Sequence, residues 1–134
     1  PSADIQKNSS VHYADVSAWV AGGYVDYLCP QLYFGFDYPV EKFRFDSLLQ
    51  EWKTVAKNIP LYIGLASYKV GEKDADSNEW LVQDDILARQ SQLVMESGCE
   101  GIGLYRYDSF FKKDQLSLVQ RKNLEAVLKK WNVK

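Results

Sequence analysis

The fold of this chain is constrained most by three short apolar runs, which are separated by segments with helical spacing. The runs cover residues 25–34, 61–68 and 101–107, and residues that favour strands dominate each of them. Nearly continuous apolar character is typical of parallel strands that are covered on both faces. Because the runs recur about every 36 to 41 residues, the spacing predicts strand–helix units joined by right-handed crossovers.

Four segments have the periodicity of amphipathic helices. The pattern predicts helices over residues 13–21, 45–59, 83–97 and 115–131. Asp46 lies in the first turn of the second helix and Pro60 follows its end, while Asp114 is placed to cap the last helix. The predicted element order is therefore αβαβαβα.

This order predicts an α/β fold in which βα repeats form parallel strands. A (β/α)8 barrel has eight such units in about 250 residues, and a doubly wound sheet normally has five or more strands. Three units with a leading helix are too few for either of these folds. We interpret the chain as the carboxyl-terminal section of a barrel, with residues 1–134 as one structural unit. The start without methionine is in keeping with a section of a longer protein.

Composition excludes several classes of protein. Of the 134 residues, 46% are hydrophobic and 25% are charged, and the net charge is -2, as expected of a soluble globular domain. Two cysteines and one histidine exclude a disulfide scaffold and a histidine-rich metal site, so we expect neither metal nor cofactor. The 16 basic residues are outnumbered by 18 acidic ones, which argues against nucleic acid as a partner. No apolar stretch is long enough for a membrane-spanning helix.

Aromatic and polar residues gather where the predicted strands end. The loops after the first two strands, residues 35–44 and 69–82, are long, and parallel α/β folds place their sites at this edge. The chain has nine tyrosines, whose flat apolar faces and hydroxyl groups suit polar ligands such as sugars. The candidate substrate-binding residues are Gln31, Tyr33, Phe34, Tyr68, Lys69, Tyr105 and Tyr107.

Two of these candidates have a second interpretation. Gln31 is either a ligand contact or a buried amide that satisfies loop backbone. Lys69 is either a solvated loop lysine or a donor to a substrate, and in the second case it could hold a catalytic acid in its charged form. Pro30 has no N–H for a strand ladder, so it marks a strand end or a bulge that turns Gln31 and Tyr33 toward the site.

The chain offers no convincing pair of catalytic carboxyl groups. Glycoside hydrolysis usually needs two of them about 5 to 9.5 Å apart. Only Asp37 and Asp108 lie near predicted strand ends, and for each of them helix capping or solvation is the alternative to a catalytic role. The other acidic residues of this region fall in the long second loop: Glu72, Asp74, Asp76 and Glu79. The catalytic residues are therefore left unassigned.

Several strings resemble a known family, the glycosyl hydrolase-like 10 proteins. The resemblance begins with HYAD at residues 12–15, Trp19 and GYVDYLCPQLYFGF at residues 23–36. It continues through Trp52, LYIGLA at residues 61–66, Tyr68, Lys69, Trp80, DDI at residues 84–86, Arg89 and Gln90. The family's members are bacterial barrel proteins, many of them secreted or lipid-anchored, and are regarded as glycoside hydrolases. Their acidic strand-end motif lies upstream of the part that this chain resembles.

The resemblance implies that Gln31, Tyr33, Tyr68 and Lys69 line a substrate cleft for an oligo- or polysaccharide. It also implies an extracytoplasmic or cell-surface location for the parent protein. The expected function is that of a glycoside hydrolase section that is inactive alone. The alternative is a non-catalytic carbohydrate-binding or interaction module of α/β type. Because an open section exposes strand edges, we also expect self-association.

Overall fold

Helices and parallel strands alternate along the computed structural model, which describes residues 1–74 and 77–131. The predicted α/β class with parallel strands is confirmed. The α-helices in these ranges are α1 (Ile5–Ser10), α2 (Val16–Ala21), α3 (Phe45–Ala56), α4 (Glu79–Val82), α5 (Ile86–Glu96), α6 (Tyr107–Phe110) and α7 (Gln115–Trp131). The strands are β1 (Tyr62–Leu65) and β2 (Gly101–Leu104), and short 3-10 helices lie at Glu41–Phe43 and Ser67–Lys69. None of these helices is long and apolar enough to cross a membrane.

The two longest helices follow their sequence signals closely. In α3, Phe45, Leu48 and Trp52 are fully buried at helical spacing. This helix ends at Ala56, before the predicted end at residue 59, because Lys57 leaves the helical conformation with a φ of 53°. The predicted bounds of α7 are confirmed, and Asp114 accepts a hydrogen bond from the Ser117 backbone N–H at 2.9 Å.

The sheet is parallel, as predicted. Its strands β1 and β2 pair in register from Tyr62 with Gly101 to Leu65 with Leu104. The chain between them contains α4 and α5, so the connection is a strand–helix–strand crossover. Their carboxyl ends therefore lie at the same edge.

The first predicted strand, residues 25–34, is not a regular strand. It lies parallel to β1 but joins it only through bridges at Leu28 and Gln31. The Tyr62 N–H donates to Leu28 O at 2.9 Å and the Gly64 N–H donates to Pro30 O at 2.8 Å. Between these bonds the ladder would need a backbone N–H at position 30, and Pro30 has none. The prediction of a continuous strand was wrong for this reason.

Other boundaries also differ from the predictions. The helix predicted over residues 13–21 begins at Val16, because Asp15 caps it by accepting the Ala18 N–H at 2.9 Å. The sequence patterns did not predict α1. The strands predicted over residues 61–68 and 101–107 are shorter, since a 3-10 helix follows β1 and α6 follows β2.

One face of the sheet packs on helices and the other is open. Ile63 and Leu65 are fully buried and belong to the core with residues of α3 and α5. On the opposite face, Tyr27 is 60% exposed and Tyr62 is 37% exposed. The expectation of strands covered on both faces is therefore wrong for this chain, because side chains alternate between a buried and an exposed face.

Candidate functional site

The carboxyl ends of β1 and β2 lie side by side. The Tyr105 N–H donates to Leu65 O at 2.9 Å, and the Tyr68 N–H donates to Tyr105 O at 3.2 Å. The Ser67 hydroxyl donates to Arg106 O at 3.2 Å. These bonds continue the strand pairing into the following loops and fix the backbone from which Tyr68 and Tyr105 extend.

Three of the predicted site residues, Tyr33, Tyr68 and Tyr105, form one cluster of rings, named here the tyrosine cluster. The rings of Tyr33 and Tyr105 stack with centroids 5.9 Å apart, and Tyr68 meets both edge-on at 5.8 and 6.0 Å. Such geometries are favourable for aromatic pairs. Tyr105 is 51% exposed and Tyr68 is 36% exposed, so both side chains are partly open to solvent.

The hydroxyl of Tyr33 stays protonated at neutral pH. Burial raises its pKa above the ordinary tyrosine value, and the phenols of Tyr68 and Tyr105 raise it further. Tyr33 can therefore both donate and accept a hydrogen bond within the cluster.

Gln31 and Phe34 extend the site beside the tyrosine cluster. Together with Tyr33 and Tyr38 they line an open cavity of about 350 Å³. The ring of Phe34 packs edge-on against Tyr38 at 4.8 Å and stacks on Phe43 at 5.7 Å. Gln31 is exposed, which removes the interpretation of a buried amide and leaves its side chain open to a ligand.

Lys69 is not a solvated loop lysine. Its Nζ lies 2.6 Å from Asp74 Oδ2, and the two side chains are only 20% and 17% exposed. The same Nζ lies 5.9 Å from the centre of the Phe34 ring. Asp74 therefore balances the charge of Lys69 and holds it at the edge of the site through a charge-assisted hydrogen bond.

The structure does not bring Tyr107 into the tyrosine cluster. Because β2 ends at Leu104, Tyr107 begins α6 and does not continue the strand. It is 74% exposed, and its ring packs on Phe111 with centroids 4.6 Å apart.

The two acidic residues near the predicted strand ends are exposed. Asp37 lies in the loop after residue 34. The Asp108 side chain is 77% exposed, and its Oδ2 is 3.8 Å from Arg106 Nε. Neither carboxyl group lies in the buried environment that is typical of a catalytic acid.

Glu79 has such an environment, although the sequence places it in a loop. It begins α4, is 3% exposed and accepts the Asp37 backbone N–H on Oε2 at 3.1 Å. Burial raises the pKa of Glu79, and this effect exceeds the opposing backbone hydrogen bonds and the nearby Arg89. The available signal was the adjacent Trp80, whose size marks a segment that enters the core. Asp76, from the same predicted loop, lies outside the described residues.

Comparison with known protein families shows to which family this chain is related. The model of a family described as glycosyl hydrolase-like 10 matches residues 1–82, more than half of the chain. The chain belongs to the glycosyl hydrolase-like 10 family. This confirms the resemblance found in the sequence strings.

Curated relatives carry related names. Glycosyl hydrolase DigH of Escherichia coli (strain K12) is 35% identical in an alignment of 101 residues that covers 72% of this chain and 23% of the relative. Glycosyl hydrolase YngK of Bacillus subtilis (strain 168) is 35% identical in an alignment of 91 residues that covers 63% of this chain and 17% of that relative. The chain thus spans less than a quarter of the length of these relatives.

The glycosyl hydrolase-like 10 match covers most of the candidate site. It contains Gln31, Tyr33, Phe34, Tyr68, Lys69 and Glu79. It ends before Tyr105 and Tyr107, which belong to the last strand–helix unit. The tyrosine cluster therefore joins residues within the family match to one residue beyond it.

Proposed function

We propose that the chain supplies carbohydrate-binding residues to a glycoside hydrolase of the (β/α)8 type, as the carboxyl-terminal section of its barrel. The observation that carries this proposal is the tyrosine cluster at the carboxyl ends of parallel strands. Barrel enzymes place their active sites at this edge. Membership of a glycosyl hydrolase-like family supports the same conclusion.

The chemistry of the site suits a sugar chain. The partly exposed rings of Tyr68 and Tyr105 offer apolar surface for the C–H face of a pyranose ring, and their hydroxyl groups can form hydrogen bonds to its hydroxyls. Gln31 adds an amide that both donates and accepts. Lys69 retains N–H donors beyond the one directed at Asp74.

The proposed role is binding, without the complete reaction. A glycosidase needs a proton donor and a second carboxyl group about 5 to 9.5 Å away. Within the described residues near the cluster, Asp74 is paired with Lys69, and Glu79 is buried with its Oε2 on the Asp37 backbone N–H. We therefore assign the reacting carboxyl groups to other strand–helix units of the complete protein. The 134 residues alone should not cleave chromogenic glycosides.

Affinity measurements on single variants test the binding role. The chain is titrated with cellotetraose, chitotetraose and maltotetraose by isothermal calorimetry, for wild type, Tyr33→Ala and Tyr105→Ala. Loss of one stacked ring removes about 1 kcal/mol, so each variant should weaken binding about fivefold.

Tyr13→Ala is the matched control, because Tyr13 is 90% exposed and lies outside the cluster. It should bind like wild type. If wild type binds none of the three tetrasaccharides, or if all three variants bind equally well, the proposed function fails. If the complete protein binds sugars tightly without any turnover, the chain belongs to a carbohydrate-binding module instead.

We also infer that the isolated chain self-associates. The open face of the sheet exposes Tyr27 and Tyr62 next to a cavity of about 380 Å³ that Ile102 also lines. Apolar surface and strand edges of this kind favour pairing with a second copy. Analytical ultracentrifugation should detect a dimer whose population rises with concentration. A monomer at all concentrations up to about 1 mM, where a dimer with even a weak Kd is populated, would exclude self-association.

A further inference from the structure

Glu79 is a buried carboxyl group that contacts the backbone of the loop leading away from Tyr33 and Phe34. It is 3% exposed, and its Oε2 accepts the Asp37 N–H at 3.1 Å. The backbone amide of Phe36 also faces this carboxyl group and opposes the rise of its pKa. A carboxylate that accepts a backbone N–H in this way forms a strong, charge-assisted hydrogen bond.

The same loop is held from its other side. Gln90, fully buried on α5, donates from Nε2 to Phe34 O at 2.9 Å. The Phe45 N–H donates to Gly35 O at 3.0 Å. The backbone from residue 34 to residue 37 is therefore tied at both ends by buried side chains from distant parts of the chain.

Gly35 makes the close approach of Glu79 possible. A Cβ at this position would overlap Glu79 Oε2, and it would lie 3.6 Å from Trp80 Nε1. A side chain at residue 35 would push the carboxyl group away from the loop. The glycine and the buried glutamate are therefore complementary in shape.

We propose that Glu79 is a positioning residue for the carbohydrate site: its carboxyl group fixes residues 34–37, and so sets where the rings of Tyr33 and Phe34 lie. This proposal rests on the proposed function for the identity of the ligand. Asp37 and Arg89 are the charged groups that face Glu79, and neither belongs to the tyrosine cluster. Glu79 thus acts through the loop and not on the sugar itself.

The first test detects the hydrogen bond between Glu79 and the Asp37 N–H without any sugar. The Asp37 amide proton is followed by NMR across the pH range in wild type, Glu79→Gln and Glu125→Gln, the last being an exposed control on α7. Wild type and the control should show a titration step above the ordinary glutamate range, and Glu79→Gln should lose it. Asp37→Asn removes the neighbouring carboxyl group and serves as a further control. If the high step persists in Glu79→Gln, the proposal is overturned.

The second test measures how the loss of this hydrogen bond changes the affinity for a sugar. The tetrasaccharide that wild type binds is titrated into Glu79→Ala, Glu79→Gln and Gly35→Ala. Glu79→Ala and Gly35→Ala should weaken binding about tenfold, since the loop loses a charge-assisted hydrogen bond. Glu79→Gln keeps one acceptor oxygen for the Asp37 N–H and should restore most of the affinity.

The outcomes separate the two claims. If wild type binds no tetrasaccharide, the proposed function fails. The pH dependence of the Asp37 amide proton signal still decides whether Glu79 holds the loop. If folded Glu79→Ala and Gly35→Ala bind within twofold of wild type and the Phe34 ring resonances do not shift, Glu79 only stabilises the fold and the positioning role is wrong. If Glu79→Ala does not fold, Glu79→Gln and Gly35→Ala decide.

Discussion

At the scale of single residues, Asp114 shows how one side chain sets a helix boundary. Its Oδ1 accepts the Ser117 backbone N–H at 2.9 Å and its Oδ2 accepts the Ser117 hydroxyl at 2.8 Å. These hydrogen bonds lower the pKa of Asp114. Asp114→Ala should reduce the free energy of unfolding by about 1 kcal/mol at neutral pH, measured by urea denaturation.

The pH dependence of this effect has a definite sign. A lowered pKa in the folded state stabilises the protein above the ordinary pKa of aspartate, and this stabilisation is lost as the pH falls through the lowered value. The cost of Asp114→Ala should therefore shrink in acid. Asp114→Asn, which keeps an acceptor oxygen, should retain more of the stability than alanine does. An equal cost for alanine and asparagine would contradict the capping role.

Glu79 should have the opposite pH dependence. Burial raises its pKa, so the folded protein holds this proton more tightly than the unfolded chain does. Its contribution to stability is greatest below the ordinary glutamate pKa and falls as the pH rises through the raised value. Between about pH 4 and about pH 7, Glu79→Gln should therefore gain stability relative to wild type. Urea denaturation at both pH values measures this difference, and a constant difference would contradict the raised pKa.

Sequence patterns predicted these residues unevenly. Tyr33, Tyr68 and Tyr105 were predicted together because the carboxyl ends of parallel strands share an edge, and this needs only the strand positions. Glu79 was missed because a buried carboxyl group depends on the space left by Gly35, 44 positions earlier in the sequence. No local pattern contains that information.

At the scale of elements, α7 packs mainly against α5. Leu124 of α7 is fully buried in the hydrophobic core, whereas Leu118 on the same helix is 44% exposed. Leu124→Ala should lower the free energy of unfolding by about 2 to 5 kcal/mol. Leu118→Ala, the matched control, should change it by no more than about 0.5 kcal/mol. Similar losses for both variants, measured by denaturation, would show that α7 does not pack as described.

Long amphipathic elements were easier to predict than short ones. The bounds of α7 follow from its periodicity and from the cap at Asp114, which are local signals. The first strand was predicted as more regular than it is. Pro30 interrupts its hydrogen bonds to β1, and the local sequence does not show which strand lies beside it. Tyr107 was placed on a strand because the apolar run continues past Leu104, where the chain instead begins α6.

At the scale of the whole molecule, the open face of the sheet and the length of the relatives lead to one prediction. The chain covers 23% of DigH, and its tyrosine cluster lies at the edge of an open sheet. We expect the 134 residues to give no turnover of chromogenic glycosides, and the complete protein to give turnover that falls in Tyr33→Ala. Hydrolysis by the 134 residues alone would contradict the assignment of the reacting carboxyl groups elsewhere.

The central claim is that the tyrosine cluster binds carbohydrate, and NMR of ring-labelled tyrosines tests it most directly. On addition of the tetrasaccharide panel, the ring resonances of Tyr33, Tyr68 and Tyr105 should shift and saturate together. Those of Tyr13 and Tyr24, which are 90% and 80% exposed, should stay in place. Shifts confined to Tyr13 and Tyr24, or no shifts with any sugar, would contradict the claim.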